Sequence, residues 1–109
     1  MKHIRTLIAD DEPAARARLA RLLAQDPEIE LVAECRNGQE AVEAVGKHRP
    51  DLLFLDVQMP HMNGLELLQR IGEQRLPVVT IIMTAFGTVE TAIEAMKRGA
   101  YDYILKPFK

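Results

Sequence analysis

Ile4-Arg5-Thr6-Leu7-Ile8-Ala9-Asp10-Asp11-Glu12-Pro13 carries a short, largely apolar run straight into an acidic pair and then a proline. A run with β-branched character that ends in charge reads as a strand reaching the edge of a sheet. Pro13, whose φ is already near the helical value, suits the first turn of a helix behind it. The same pattern recurs where Leu52-Leu53-Phe54-Leu55 runs into Asp56. Carboxylates directly after buried strands are costly unless the strand ends meet water or a cation. Asp10, Asp11 and Asp56 therefore point to a site at one sheet edge, and to a divalent metal there. A fourth marker, Lys106-Pro107, follows the last apolar run.

Working outward, the periodicity alternates along the whole chain. Strands are predicted at Ile4–Ala9, Leu31–Cys35, Asp51–Leu55, Val78–Met83 and Tyr101–Leu105. Three of them are nearly continuously apolar, as strands buried on both faces of a parallel sheet are. Amphipathic stretches lie between. Pro13–Ala24 carries Leu19, Leu22 and Leu23 on one side and Arg16, Arg18 and Arg21 elsewhere. Gly38–Lys47 has Ala41, Val42 and Val45; Gly64–Glu73 has Leu65, Leu67, Leu68 and Ile71. Thr88–Arg98 has Val89, Ala92, Ile93 and Met96 at helical spacing and stops at Gly99. Strand and helix in alternation with short connections predict βαβ units, right-handed crossovers and an α/β, doubly wound parallel sheet with helices on both faces. In such folds the site lies beyond the carboxyl ends of the strands, near the point where strand order reverses. If the first and third strands are neighbours, the three aspartates converge. Carboxylates about 4 Å apart repel by roughly 1–4 kcal/mol per pair, depending on screening. An octahedral Mg2+, with its preference for oxygen ligands, resolves that conflict.

Composition limits the alternatives. At 109 residues the chain has room for one core. The net charge of −2, from 14 basic and 16 acidic residues, gives no footprint for nucleic acid or an anionic membrane. Cys35 has no partner cysteine and reads as a buried, inert thiol. No apolar run approaches the ~20 residues needed to span a bilayer, and no signal segment opens the chain, so a cytoplasmic location is expected.

The acidic motif Asp10-Asp11-Glu12-Pro13 is joined by Asp56-Val57-Gln58-Met59-Pro60-His61-Met62-Asn63-Gly64, by Met83-Thr84-Ala85 and by Lys106-Pro107-Phe108. Together, in that order, these four motifs resemble the receiver domains of two-component response regulators, and the resemblance covers residues 1–109. It implies a flavodoxin-like, five-stranded sheet of order 2-1-3-4-5. It also implies roles. Asp56 would be the phosphoacceptor, modified to an acyl phosphate. Asp11 would bind Mg2+ (or Mn2+) directly, with Asp10 supporting it, Asp56 contributing, and the Gln58 carbonyl completing the protein ligands. Lys106 and Thr84 would contact phosphate oxygens, Pro107 would form a cis Lys–Pro bond, and Thr84 and Tyr103 would form the switch. The implied function is phosphorelay signalling and not turnover catalysis: a phosphoryl group passes from a sensor histidine kinase, or a small donor such as acetyl phosphate, to Asp56. The resulting conformational change would regulate an output such as transcription.

Plainer readings stand beside these. Asp11 alone could cap the helix that begins at Pro13. Asp51 and Asp102 suit strand starts and turns. His3, His48 and His61 lack ligand spacing, and Met59, Met62, Met83 and Met96 suit core or loop packing. A flavodoxin-like cofactor binder would need a phosphate cradle where this chain has Asp10-Asp11-Glu12. A haloacid-dehalogenase-like phosphatase would want a carboxylate where Gln58 stands.

Two departures from the family are expected to matter. Receivers carry a fifth helix after the Lys-Pro-Phe segment, and this sequence stops at Lys109. Without that helix one sheet face would be uncovered, and a homodimer or domain swap would form through it or through the fourth-helix surface. Residues up to about Gly72 resemble receivers attached to LytTR-type DNA-binding domains, and those from Val78 onward resemble NtrC-type receivers. A natural mosaic and an engineered chimera both fit that difference.

Overall fold

The computed structural model describes residues 3–57, 64–84 and 89–105. Gln58, Lys106 and Pro107, three of the expected site residues, lie outside them. Five strands and four helices alternate: β1 (Ile4–Ala9), α1 (Pro13–Leu23), β2 (Ile29–Cys35), α2 (Gly38–His48), β3 (Leu52–Asp56), α3 (Gly64–Glu73), β4 (Val79–Thr84), α4 (Val89–Lys97) and β5 (Asp102–Leu105). All strand pairs are parallel, and the sheet order is β2-β1-β3-β4-β5. The expected 2-1-3-4-5 α/β architecture is the observed one.

Most boundaries differ from the periodicity by one or two residues, and two of the differences have a clear cause. β2 starts at Ile29, because Ile4 pairs with Ile29 and its N–H donates to the Glu28 carbonyl at 2.7 Å. The alternating charges of Ile29-Glu30-Leu31 hide this start in the sequence; β2 is an edge strand, so half of it faces water. Asp56 lies inside β3, paired with Met83, and not just after it.

The sheet divides the core in two. Leu7, Ala9, Leu53, Leu55 and Ile82 face α2 and α3 through Ala41, Val45, Leu67, Leu68 and Ile71, with Ala95 of α4 in the same cluster. Ile8, Phe54 and Met83 face α1 through Leu19. At about 25 cal/mol per Å2 of apolar surface, burial of side chains this size is worth roughly 1.5–3 kcal/mol each, which holds the central strands in place.

The fourth helix corrects one expectation. Its residues Ile93 and Met96, read as core-facing, are 49% and 44% exposed, while Ala95 is fully buried. A small residue at the contact lets the helix lie close to the sheet, which turns the larger side chains outward. Arg98, just beyond α4, ties this end to α3: it bonds Glu94 at 2.9 Å and reaches Gln69 at 3.1 Å.

The edge where the strands start is held by backbone and carboxylate. Asp51 Oδ2 accepts the Arg5 N–H at 2.9 Å, and the Asp51 backbone links Arg5 to Val79. Asp102 accepts its neighbour's N–H through Oδ1. Both aspartates thus serve strand starts. Among the described residues, no helix is long and apolar enough to cross a membrane.

Candidate functional site

Register brings the aspartates together. Ala9 of β1 pairs with Leu55 of β3, so one step further along the parallel strands Asp10 and Asp56 emerge side by side. Both are buried, at 1% and 4% exposure, whereas Asp11 is exposed. One carboxylate oxygen from each of Asp10, Asp11 and Asp56 lies within 4.8 Å of the others. Thr84, 4% exposed, closes β4 one residue beyond Met83, the register partner of Asp56. The site thus occupies the carboxyl edge at β1, β3 and β4, where strand order departs from chain order.

The turn after β1 is heavily constrained. The Asp10 N–H donates to the Cys35 carbonyl at 2.9 Å, and Asp10 Oδ1 accepts the Glu12 N–H at 2.9 Å. The Asp10 carbonyl accepts from Arg16 Nη1 at 2.7 Å. The cap of α1 is Glu12, with no side-chain bond to the helix, so Asp11 does not serve as the helix cap. Its carboxylate belongs to the cluster.

The floor of the site depends on a glycine. The Val57 N–H donates to Met83 and the Gly64 N–H to Val57, at 3.1 and 2.9 Å, closing the end of β3 over the start of α3. A Cβ on Gly64 would stand 2.5 Å from the Asp56 carbonyl oxygen and 2.8 Å from Val57 Cα. Both are backbone atoms, so there is no side chain to move aside. In the sequence, the Asn63-Gly64 pair just before a helical run is the signal of this close approach. Arg16 is found here although helical periodicity puts it, with Arg18 and Arg21, off the apolar side of its helix. No sequence signal announces a bond from a side chain to a main-chain carbonyl.

The chemistry of the donor set suits a hard divalent cation. Among the described residues, three carboxylates, two of them buried, supply anionic oxygen and no nitrogen or sulfur ligand joins them. Nearby Cys35 is buried, and its thiol is pushed up to about 11, mainly by burial and further by Glu40, which keeps it protonated and out of such a site. Tyr103 lies on β5 opposite Ile82 and is 41% exposed, one strand away from Thr84.

Comparisons with known proteins agree with this geometry. The family described as response regulator receiver domain matches residues 6–109. The transcriptional regulatory protein BtsR of Salmonella typhi is 47% identical over 106 residues, covering 97% of this chain and 43% of BtsR. A protein-glutamate methylesterase/protein-glutamine glutaminase of Geobacillus kaustophilus is 43% identical over 108 residues, 98% of this chain and 31% of that enzyme. The chain therefore spans less than half the length of these curated relatives. Among solved structures, the receiver domain of NarL from Mycobacterium tuberculosis superposes with a TM-score of 0.95 at 27% identity, covering all of this chain and 88% of that one. The CheX–CheY–BeF3–Mg2+ complex from Borrelia burgdorferi matches with a TM-score of 0.91 at 26% identity, over 97% of this chain and 80% of that chain. One relative aligns across both halves at 47% identity, so the expected difference between halves gains no support as a chimera.

Proposed function

Because the chain belongs to the response regulator receiver domain family of two-component signalling, we propose that Asp56 is its phosphoacceptor and that Asp10, Asp11 and Asp56 hold Mg2+ or Mn2+ during the transfer. The observation that carries this reading is the convergence of three carboxylates within 4.8 Å at the carboxyl edge of the sheet. A bound divalent cation would neutralise the carboxylates and the incoming phosphoryl oxygens.

The chain's own residues do the rest. A carboxylate oxygen of Asp56 attacks phosphorus, an O–P bond forms, and the bond to the leaving imidazole or acyl oxygen breaks. The Thr84 hydroxyl, at the end of the adjacent strand, donates to a phosphate oxygen. Lys106, Pro107 and Gln58 lie outside the described residues; on this reading Lys106 would supply a positive contact to the phosphoryl group, a cis bond before Pro107 would aim it, and the Gln58 carbonyl would add a ligand. Tyr103 moves inward as Thr84 follows the phosphate, which shifts a two-state equilibrium that includes α4. On this reading the chain catalyses only its own phosphorylation and dephosphorylation, with a sensor histidine kinase or acetyl phosphate as donor. The relatives that contain such a segment include a transcriptional regulator and a methylesterase, so the output belongs to whatever adjoins it. A second copy of the chain is a further partner, docking on the exposed apolar side chains of α4 and β5.

Acetyl phosphate with Mg2+, followed by intact-mass measurement, tests the assignment. The parent should gain about 80 Da and Asp56→Asn should gain nothing. Equal adducts on both chains, or none on the parent, would overturn it.

A further inference from the structure

Arg16 sits one turn into α1, and its side chain is 14% exposed, unusually buried for an arginine on a helix that covers a sheet edge. It points back toward the helix start, as helical side chains do. There Nη1 donates to the Asp10 carbonyl at 2.7 Å, and Nε lies 3.9 Å from Glu34 on β2. The Asp10 carbonyl and the Asp11 N–H belong to one planar peptide unit. Gripping that oxygen fixes the plane, and the plane fixes the direction in which Asp11 leaves the strand. The preceding peptide is already held by the bond from the Asp10 N–H to Cys35. Asp56 ends a buried strand and Asp10 directly follows one, whereas Asp11 is exposed and, among the described residues, is aimed by this turn.

We infer that Arg16 is a positioning residue for the acidic cluster: it orients the Asp10–Asp11 peptide so that the Asp11 carboxylate meets those of Asp10 and Asp56, without itself touching the cation. The inference rests on the reading that the cluster holds a divalent cation. Arg16 acts on that cation in two opposing ways. Its positive charge, close to the site, disfavours cation binding, and its grip on the turn favours it. Supporting groups around metal ligands are commonly worth 10- to 100-fold in affinity, more than one partly screened charge at the edge of a site supplies. Orientation therefore wins, and the sign of the effect separates the two roles.

The test is Mg2+ titration by calorimetry at fixed ionic strength on the parent, Arg16→Gln and Arg16→Lys, with circular dichroism and thermal melts alongside. Arg16→Gln should bind Mg2+ about 10-fold more weakly. Arg16→Lys, which keeps the charge but loses the fork, should also bind several-fold more weakly. A role confined to stability would lower the melting midpoint and leave the Kd of the folded protein unchanged. Arg16→Gln binding as tightly as the parent, or more tightly, overturns the inference. Should that variant not fold, an unchanged Kd for Arg16→Lys does so. A parent that binds no Mg2+ removes the underlying reading, and the inference with it, whereas a parent that binds while the variants match it removes the inference alone.

Discussion

At the scale of single residues, Cys35 shows how burial becomes pH dependence. The thiol is 2% exposed, and its pKa is raised from 9.0 to about 11, first by desolvation, then by Glu40, with Arg16 opposing. The folded state holds the proton more tightly than the unfolded chain. Its contribution to stability is therefore complete below the unfolded pKa and is lost as pH rises from about 9 through 11. Denaturant melts across that window should show a loss of order 2–3 kcal/mol for the parent and a flatter profile for Cys35→Ala. A Cys35→Ala curve as steep as the parent's would assign the loss to other groups. The buried thiol was legible because an apolar stretch surrounds it. Arg16 was not: its partners are a carbonyl and a residue on another strand, and neither leaves a trace in helical periodicity.

At the scale of elements, the three site aspartates were legible because charge interrupts apolar strands, and register does the rest. The exact placement was less so. Asp56 completes β3 because Met83 pairs with it, a fact of the neighbouring strand and not of its own. The outward stripe on α4 escaped detection because periodicity marks an apolar face without saying whether a buried alanine will take its place against the sheet. The junction of β3 and α3 carries its own prediction. Gly64→Ala gains up to about 1 kcal/mol in helix propensity, but forces a methyl group into the Asp56 carbonyl. Overpacking against immovable atoms costs typically 1–3 kcal/mol, so the clash wins. Urea melts should show net destabilisation of about 1–2 kcal/mol, and acetyl phosphate labelling should slow because the displaced backbone is that of the phosphoacceptor. Unchanged or increased stability would mean the junction yields without strain.

Across the whole molecule, the sheet order was legible through the family resemblance, because the residues alone left open which strands are neighbours. The surface shows what that order leaves uncovered. Ile93 and Met96 on α4 and Tyr103 and Leu105 on β5 are each more than 40% exposed, large apolar side chains on two consecutive elements. Light scattering over a range of concentrations should give a mass rising above the 12.3 kDa monomer, and Ile93→Glu should return it toward that value. A monomer at every concentration would remove the self-association proposal.

The adjacency of β1 and β3 also bears on time. Ala9 and Leu55 pair only after all of α1, β2 and α2 have been looped out, so this contact is among the most non-local in the sheet. The same step drives like charges against one another, since Asp10 and Asp56 come next along the strands. Part of the barrier to forming the central sheet is therefore expected to be electrostatic, so stopped-flow refolding should speed up with added salt. The aspartates proposed to hold the cation are thus also expected to slow folding, and refolding of Asp56→Asn should depend less on salt than that of the parent.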